Sequence, residues 1–419
     1  MSGLPDGWVV NNLGAIIELV GGGTPKTSIA SYWNGKIPWL SVVDFNDDNR
    51  WVLNTEKSIT EAGLNHSSTK LLDGDDLIIS ARGTVGALAQ LKKPMSFNQS
   101  CYGIKEKNNI SNISFLYYLI KFSLKKINKN VHGAVFDTIT KQTFDKIFIN
   151  LPPLPEQKSI ANILSSFDEK IELLREQNKT LETLAQTIFK EWFVNFNYPD
   201  ATGDMVDSEL GEIPKGWCVY DLNELVDTVN GYSYKGKELV ESSDEALVTL
   251  KSFNRNGGFQ TRGFKPFVGI PKQQQEVKVG DLVVAHTDLT QDAEVLGNPA
   301  FIFENAGYSK MYITMDLVKV VSKNKNIDNA LVYYIMKDRR FKGHCIGYSN
   351  GTTVLHLSKK SIPEYKIALP ENLQLAKEFS NYANSLTNKI SNNIYHIQTL
   401  TKTRDTLLPK LMSGEVRVN

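Results

Sequence analysis

The sequence predicts an α/β protein made of two mixed α/β domains of the same fold, separated by an antiparallel two-helix coiled coil. Two observations carry this prediction: an internal repeat at a spacing of roughly 210 residues, and an apolar stripe of helical period after each copy. A chain of 419 residues is long enough for two hydrophobic cores and the segments that connect them. Because each domain is followed by its own helix, the repeat also predicts a pseudo-twofold particle.

Matching segments occur in the same order in both halves of the chain. The matching pairs are 7–13 with 216–222, 76–80 with 281–285, and 133–152 with 351–370. Within each half, apolar runs such as 76–80 and 144–149 predict strands, whereas 113–129 and its counterpart 329–341 have helical spacing. Each domain is therefore expected to combine strands with one main helix.

Two long helices are predicted from apolar residues that recur at alternating four- and three-residue spacing. The first is expected to run from Pro155, a residue suited to the first helical position, to Trp192. The second is expected to stop before Gly414, since glycine favours the conformation that ends a helix. The apolar positions are Ile160, Leu164, Phe167, Ile171, Leu174, Leu181, Ala185, Ile188 and Trp192, then Ala376, Phe379, Ala383, Leu386, Ile390, Ile397, Leu400, Leu407 and Leu411.

A register for this helix pair follows from an asparagine in each stripe. Asn178 and Asn393 can hydrogen-bond if they face each other, whereas an asparagine buried against apolar side chains would have no partner. This register places the apolar positions opposite one another from Ile160 with Leu411 to Trp192 with Phe379, with one mismatch in between. Phe167 then faces Arg404, whose charged end we expect to extend to the edge of the pair.

The charge of the chain is unevenly distributed over its four predicted segments, although the net charge is only +1. The predicted domains, residues 1–150 and 212–370, carry 16 basic against 13 acidic residues and 20 against 18. The connector 151–211 carries 5 against 11, and the closing helix segment 371–419 carries 6 against 4. The acidic first helix is therefore expected to face solvent or a protein partner rather than phosphate groups.

The composition predicts a cytoplasmic protein without membrane contact. No stretch approaches the roughly 18 apolar residues that a membrane span requires. The first residues lack the basic and apolar parts of a signal peptide. The three cysteines form no CxxC pair and are typical of free thiols in a reducing compartment.

Motifs for catalysis are missing from the sequence. It contains no GxxxxGK[ST] phosphate loop, no strand followed by GxGxxG, and no Asn/Asp-Pro-Pro-aromatic motif of amino-methyltransferases. The six histidines are scattered, and Asp168-Glu169-Lys170, which superficially resembles a nuclease fragment, is expected to be a solvated helix face. We therefore predict no catalytic residue, no metal site and no cofactor bound by this chain.

Donor-rich loops predict a DNA-binding surface in each domain. Arg82-Gly83-Thr84 follows an apolar strand, where arginine can donate to a base edge or phosphate and glycine lets the backbone approach. The corresponding place in the second half is His286-Thr287-Asp288, a difference expected of domains that read different sequences or of surface loops that drifted apart after duplication. The candidate DNA contacts are Lys26, Trp33, Arg50, Arg82, Thr84 and Gln99, then Lys251, Arg255, Arg262, His286, Thr287 and Lys310.

Several motifs resemble those of the specificity (S) subunits of type I restriction-modification systems, over nearly the whole chain. The most specific is Leu151-Pro-Pro-Leu-Pro-Glu-Gln157 at the start of the first long helix. Gly21-Gly-Gly-Thr-Pro-Lys26, Ser80-Ala-Arg-Gly-Thr-Val-Gly86 and the closing segment Leu407 to Arg417 are also similar to the family. The entry to the second helix, Leu369-Pro-Glu-Asn-Leu-Gln374, departs from the family pattern.

The resemblance implies a non-catalytic subunit with two target-recognition domains, each reading one half of a bipartite double-stranded DNA target. It implies two methyltransferase (M) subunits as partners, which carry S-adenosylmethionine and flip target adenines, and restriction (R) subunits, which use ATP and Mg²⁺ in phage defence. The coiled coil, a rod of roughly 57 Å at 1.5 Å per residue, would set the unread gap. The alternatives are a specificity subunit of an orphan or type II-like methyltransferase system without restriction subunits, a scaffold that binds only protein, and an independent enzyme.

Overall fold

The structure is a computed structural model that describes residues 4–46, 49–107, 110–130, 138–253 and 258–418, with the backbone alone for 126–130. The chain divides into two compact units. Unit 1 comprises residues 1–173 and 397–419, and unit 2 comprises residues 174–396. Because this division cuts through both long helices, the predicted boundaries at residues 150, 211 and 370 stay a prediction.

Unit 1 is a mixed α/β domain of short strands and helices. Its strands are β1 (Val9–Asn12), β2 (Ile17–Gly21), β3 (Trp33–Leu40), β4 (Trp51–Val52), β5 (Lys57–Ile59), β6 (Leu71–Leu72), β7 (Leu77–Ser80), β8 (Leu88–Leu91), β9 (Met95–Phe97), β10 (Cys101–Glu106) and β11 (Phe148–Leu151). Its helices are α1 (Leu13–Ile16), α2 (Glu61–Asn65), α3 (Ile113–Asn130) and α4 (Lys141–Asp145), followed by the long helix α5 (Leu154–Phe193).

Two sheets form the body of unit 1. One has the strand order β2-β10-β7-β8-β4, and the other has the order β5-β3-β9-β6. Strand β7 lies in the middle of the first sheet with all four side chains buried, as expected of a strand that begins with three large apolar residues. Leu77 and Ile79 belong to one hydrophobic cluster with the side chains of α3, while Ile78 belongs to another with Leu40 and Phe97. The sheet thus has a hydrophobic cluster on each face.

Unit 2 contains the same kinds of element. Its strands are β12 (Met205–Ser208), β13 (Gly211–Pro214), β14 (Trp217–Asp221), β15 (Val226–Asn230), β16 (Glu245–Val248), β17 (Phe264–Pro266), β18 (Glu276–Val277), β19 (Leu282–Ala285), β20 (Thr287–Asp288), β21 (Pro299–Phe301), β22 (Lys310–Ile313), β23 (Leu317–Ser322), β24 (Ser349–Asn350), β25 (Leu355–Leu357) and β26 (Lys366–Pro370). Its helices are α6 (Leu222–Leu225), α7 (Asn329–Lys337), α8 (Arg339–Gly347) and the long α9 (Gln374–Ser413).

The two main sheets of unit 2 repeat the strand order of unit 1. The sheet β15-β23-β19-β21 corresponds to β2-β10-β7-β8, and the sheet β17-β16-β22-β18 corresponds to β5-β3-β9-β6. The pair β3 and β9 is parallel, and so is its counterpart β16 and β22. The pairing register is shared as well, since Cys101 faces Ser80 as Leu317 faces Ala285. The predicted repeat of two mixed α/β domains is confirmed.

Within unit 2, α5 and α9 run antiparallel. Asn393 is buried, and its Nδ2 donates to Asn178 Oδ1 at 2.8 Å and to Gln177 Oε1 at 3.0 Å. Further along, the ring of Phe379 lies 5.7 Å from the ring of Phe189, so rising numbers on α5 meet falling numbers on α9. The predicted antiparallel pairing is confirmed. That the two asparagines select its register stays a prediction.

Within unit 1, the same two helices carry a buried ion pair that the sequence did not indicate. Arg404 Nη1 bonds to the carboxylate of Asp168, and both side chains are buried. The expectations of an edge position for Arg404 and of a solvated face at Asp168 are therefore wrong. The carboxylate also accepts a hydrogen bond from the hydroxyl of Tyr118, so both charges are paired and can be buried.

Two predicted elements differ from the structure. The predicted helix over 329–341 is two helices, because Asp338 is extended and its carboxylate caps α8 by accepting from the amide of Arg340 at 2.9 Å. The predicted strand over 144–149 begins within α4, and only its last two residues, Phe148 and Ile149, belong to β11. The end of α9 is as predicted, since Gly414 adopts a left-handed φ of 76°.

Candidate nucleic-acid interface

Three loops of unit 1 meet at one edge of its first sheet and are called here the loop edge of unit 1: residues 22–26, 81–87 and 98–100. They meet because β2 and β7 end, and β10 begins, at the same edge of this antiparallel arrangement. The amide of Gly23 donates to the carbonyl of Phe97 at 3.0 Å, and the amide of Ala81 donates to the carbonyl of Ser100 at 2.8 Å. Backbone hydrogen bonds therefore hold the three loops together.

Glycine is required at two places in these loops. A Cβ atom on Gly22 would lie 2.0 Å from the carbonyl oxygen of Asn98, so any side chain would push the first loop away from the third. Gly83 has a left-handed φ of 78°, which turns the loop after Arg82. The first glycine brings two loops into contact, and the second shapes the loop that carries the arginine.

The loop edge of unit 1 presents polar side chains to solvent. Lys26, Arg82, Thr84 and Gln99 are all exposed, and Gln99 shares a hydrogen bond with Thr24 Oγ1. Their ammonium, guanidinium, hydroxyl and amide groups are of the kind that contact phosphates and base edges. The structure thus brings together four of the six predicted contacts of the first domain, and their contact with DNA stays a prediction.

Trp33 stands apart from this set. It is half-buried at the start of β3, where its Nε1 donates to the carbonyl of Lys26 at 3.3 Å. Its ring packs edge-to-face on that of Trp39, with the centroids 5.2 Å apart. These contacts give Trp33 a structural part in holding the segment that follows the first loop.

Arg50 is a structural residue and not a surface donor. Its side chain is 5% exposed. The guanidinium donates to Gln90 Oε1 at 2.9 Å, to the Tyr118 hydroxyl at 3.1 Å, to Ser165 Oγ at 2.6 Å and to Ser114 Oγ at 3.0 Å. The expectation that Arg50 contacts DNA is therefore wrong, because its nitrogen atoms already join β8, α3 and α5 within unit 1.

The corresponding loops of unit 2 are its loop edge: residues 231–235, 286–298 and 314–316. The amide of Tyr232 donates to the carbonyl of Ile313 at 2.7 Å, and the amide of His286 donates to the carbonyl of Asp316 at 2.8 Å. These two hydrogen bonds are the counterparts of the two that join the loops of unit 1. The backbone framework of the loop edge is therefore repeated along with the sheets.

This framework shifts the predicted correspondence between the two loop edges by one residue. His286 corresponds to Ala81, so Thr287 is the counterpart of Arg82. Thr287 is 3% exposed, and its hydroxyl shares a 3.2 Å hydrogen bond with His356 Nδ1. The expectation that Thr287 is a surface contact is wrong, because it forms part of the short strand β20.

His286 is half-buried and is expected to be mostly neutral at pH 7. Burial lowers the pKa of its ring, and the electrostatic interactions with His356 and Lys359 lower the pKa further. A neutral imidazole can take part in a hydrogen bond at a base edge but does not neutralise a phosphate. His286 therefore remains a candidate for base contact only.

One buried carboxylate organises the long loop after β19. Asp288 accepts from the amide of Thr290 at 2.9 Å, from the amide of Val295 at 2.7 Å and from the amide of Leu296 at 3.2 Å. Burial raises the pKa of Asp288, but these hydrogen bonds outweigh burial and leave the pKa below its usual value. The carboxylate is therefore ionised at neutral pH and holds the loop in one arrangement.

The remaining predicted contacts of the second domain are cations at different places. Lys251 and Arg262 are exposed on two adjoining 3₁₀ turns, and the strand that precedes Lys251 hydrogen-bonds to the third loop of the loop edge. Lys310 begins β22, at the opposite end of this strand from the loop edge, and pairs with Glu245 at 3.6 Å. Arg255 lies outside the described residues.

Two apolar members of the loop edge of unit 2 were missed from the sequence. Leu289 is 66% exposed and Met315 is 57% exposed. A search for donor-rich loops passes over both, because neither side chain forms strong hydrogen bonds. The repeat is the signal that could have found Met315, since it is the counterpart of Gln99.

Within the part that the structure describes, no group of three or more His, Cys, Asp or Glu side chains could hold a metal ion. No helix among the same residues is long and apolar enough to cross a membrane. Cys218 is exposed, whereas burial raises the pKa of the Cys101 and Cys345 thiols to about 12.

The chain is similar to known specificity subunits over almost its whole length. The family model of the type I restriction modification DNA specificity domain matches residues 5–183 and again residues 214–396. The type I restriction enzyme MjaIX specificity subunit of Methanocaldococcus jannaschii is 29% identical over 429 aligned residues, which cover 99% of this chain and 95% of that protein. The MjaVIII specificity subunit of the same organism is 25% identical, with 99% and 94% covered.

Each match to the family model covers one copy of the repeat, so the fold and its two loop edges are those of a duplicated DNA specificity domain. The chain belongs to the type I restriction-modification DNA specificity family and is a specificity (S) subunit, the subunit that determines the DNA target. Specificity subunits are not catalytic and bind no cofactor, since S-adenosylmethionine and ATP belong to other subunits. Membership of the family thus confirms the predicted family and the predicted non-catalytic role.

A crystal structure of the type I restriction-modification S subunit from M. genitalium has a similar fold. Its TM-score is 0.54 at 18% sequence identity, with 97% of this chain and 96% of that chain covered. At this level of identity, the likeness concerns the fold alone.

Proposed function

We propose that this specificity subunit reads a bipartite duplex target, with one half-site at the loop edge of each domain. The observation that carries the proposal is one backbone framework with different side chains. Arg82 and Gln99 in unit 1 are exposed polar residues, whereas their counterparts in unit 2 are the buried Thr287 and the exposed Met315. A shared framework would place both sets of loops on DNA in the same way, while different side chains would read different bases.

Exposed cations at or beside the loop edges support binding to the DNA backbone: Lys26, Arg82, Lys251 and Arg262. Each neutralised phosphate contributes a slope of about −0.9 to the plot of log K against log salt. If Lys26, Lys251 and Arg262 contact phosphates while Arg82 contacts bases, affinity should fall roughly fortyfold between 50 and 200 mM salt. A scaffold that binds only protein would show no such salt-dependent shift with duplex DNA.

The division of labour between the domains is tested by exchanging residues 1–150 for those of another family member. Genome-wide mapping of methylated adenines should then show one half-site changed and the other retained. Arg82→Ala should relax specificity at the first half-site only, whereas Lys93→Ala, which follows β8 at the opposite end of this strand from the loop edge, should leave both half-sites unchanged. A change in both half-sites after the exchange contradicts the proposal.

The lengths of α5 and α9 are proposed to set the unread gap between the half-sites. The buried hydrogen bond between Asn178 and Asn393 supports a fixed register, because a one-heptad slip would leave Asn393 without a polar partner. Inserting seven residues in both helices should widen the gap and retain both half-sites. An unchanged gap in the mapped methylation sites would contradict this role.

Docking of two methyltransferase (M) subunits and of restriction (R) subunits is proposed from the family and from the acidic connector. The segment 151–211 carries 11 acidic against 5 basic residues, which suits a protein partner better than phosphate. The purified chain mixed with the M subunit should form a complex of one S and two M subunits. The measured mass of the complex gives the ratio of the two subunits. The genes beside this one distinguish a complete restriction system from an orphan methyltransferase.

The cytoplasmic location and the lack of membrane contact stay predictions.

A further inference from the structure

The loop edge of unit 2 presents two large apolar side chains to solvent. Leu289 is 66% exposed and Met315 is 57% exposed. Each lies within three residues of the hydrogen bond from the amide of His286 to the carbonyl of Asp316, which joins the two loops. Exposed apolar side chains that lie close together on adjoining loops are typical of a surface that another molecule covers.

Met315 occupies the place that a polar residue holds in unit 1. The flanking residues fix this correspondence, because Thr314 bonds to the end of β16 as Asn98 bonds to the end of β3, with N–O distances of 3.1 and 2.9 Å. Gln99 and Met315 follow these residues directly, and both side chains are exposed. The same backbone position therefore presents an amide in one domain and a thioether in the other.

Leu289 lies on a loop that is longer than its counterpart. The segment between β19 and β21 has 13 residues, whereas the segment between β7 and β8 has 7. Leu289 follows Asp288 directly, and the carboxylate of Asp288 accepts hydrogen bonds from Thr290, Val295 and Leu296. The leucine is thus held on an ordered loop and presented without a large loss of backbone entropy on binding.

We infer that Leu289 and Met315 contact thymine methyl groups in the second half-site, an inference that rests on the proposed function. The thymine 5-methyl is the apolar group that base pairs expose in the major groove. The exposed cations Lys251 and Arg262 near the loop edge would hold the flanking phosphates. The first domain would select its half-site by hydrogen bonds from Arg82, and the second would select its half-site in part by apolar contact.

Removing the methyl group without changing base pairing tests this inference. The probe is a duplex with the target mapped by methylation, in which deoxyuridine replaces every thymidine of the second half-site. Binding to the S subunit assembled with its methyltransferase subunits is measured by fluorescence anisotropy. Each buried methyl group contributes about a fourfold gain in affinity, so the substitution should weaken binding fourfold or more, while the same substitution in the first half-site should have less effect.

The double variant Leu289→Ala with Met315→Ala should bind the thymidine and deoxyuridine duplexes equally. Val279→Ala is the matched control, because Val279 is 49% exposed and precedes β19, at the opposite end of this strand from the loop edge. This control should keep the full preference for thymidine. If both variants unfold at the same temperature as the wild-type chain, the lost thymidine preference of the double variant is not due to misfolding.

Three outcomes overturn the inference: a second half-site without an A·T pair, equal binding of both duplexes by the wild-type chain, or an unchanged thymidine preference in the double variant. If the double variant loses its methyltransferase subunits but keeps its thymidine preference, the apolar pair is a protein-docking surface instead. In each case, salt-dependent binding to the mapped target leaves the proposed function intact. Loss of that binding in the wild-type complex would contradict the proposed function itself.

Discussion

The buried ion pair between Arg404 and Asp168 leads to a prediction that combines burial, charge and sequence distance. The two residues are 8% and 6% exposed and are separated by 236 positions in the chain. Replacing Arg404 by methionine retains most of the side-chain volume but removes the positive charge. The carboxylate of Asp168 would then be buried with the Tyr118 hydroxyl as its remaining donor.

The expected loss in free energy of unfolding is about 3 kcal/mol, the lower end of the range for removing one partner of a buried pair. The lower end applies because the Tyr118 hydroxyl still donates to Asp168 and removes part of the desolvation penalty. Unit 1 contains about 200 residues, and at this size 1 kcal/mol corresponds to roughly 2–4 °C in Tm. The transition of unit 1 should therefore shift down by roughly 6–12 °C.

Differential scanning calorimetry measures the shift, and hydrogen exchange of peptides from α3 and α7 assigns each transition to its unit. Lys410→Met is the matched control on the same helix, since the Lys410–Glu415 pair at 3.5 Å has side chains that are 45% and 63% exposed. An exposed pair contributes little, so this control should leave Tm almost unchanged. The double variant Asp168→Leu with Arg404→Met should recover much of the loss, because the buried carboxylate is then absent, and Asp405, which also pairs with Arg404, is 40% exposed.

The reasoning is refuted if Arg404→Met shifts Tm no more than Lys410→Met does. It is also refuted if the shift appears in the exchange of α7 and not of α3, because the ion pair lies within unit 1.

Three further predictions follow from other contacts. Iodoacetamide at pH 8 should label one thiol of the native chain, Cys218, and all three thiols after denaturation. Burial shields Cys101 and Cys345 and raises the pKa of each thiol to about 12. Mass spectrometry counts the labels, and labelling of a second thiol in the native chain would contradict this burial. Gly231→Ala should destabilise unit 2 by about 1–3 kcal/mol and weaken DNA binding, because the new Cβ would lie 2.0 Å from the carbonyl oxygen of Thr314. Gly236→Ala, which has open space around its Cβ, is the control for both measurements. Equal effects of the two substitutions would argue against the clash. Gln157→Ala should lower the free energy of unfolding, measured in urea, by about 2–3 kcal/mol, since this buried amide makes three hydrogen bonds to the backbone at 2.9–3.0 Å. A decrease below about 0.5 kcal/mol would show that water replaces the amide.

Much of the fold followed from local patterns in the sequence. Strands such as β7 and β19 were predictable because a run of apolar residues bounded by turn residues suits a strand buried on both faces. The antiparallel helix pair was predictable because its period is repeated over many turns, and Asn178 and Asn393 have complementary hydrogen-bonding groups. In the candidate site, Arg82 and Gln99 could be found because they follow or precede such strands.

Other residues could not be placed from the sequence, because their environment is made by segments far away in the chain. Arg50 is a polar residue in a polar stretch, and only the folded unit supplies the groups on β8, α3 and α5 that allow its burial. Thr287 follows an apolar strand just as Arg82 follows its counterpart, but pairing with β25 covers it. Met315 is apolar, which in a sequence predicts a core, yet the loop framework exposes it.

The sequence by itself determined the duplicated α/β architecture, the two long helices and the family, because these depend on periodicity and on short motifs that act locally. The tertiary structure alone decided which charged groups are buried and which side chains form the two loop edges. The physical reason is that a buried charge is stable only beside a partner, and the partner of Asp168 is Arg404, 236 positions away. Exposure likewise depends on which strands pair, so the same backbone position can carry a donor in one domain and an apolar contact in the other.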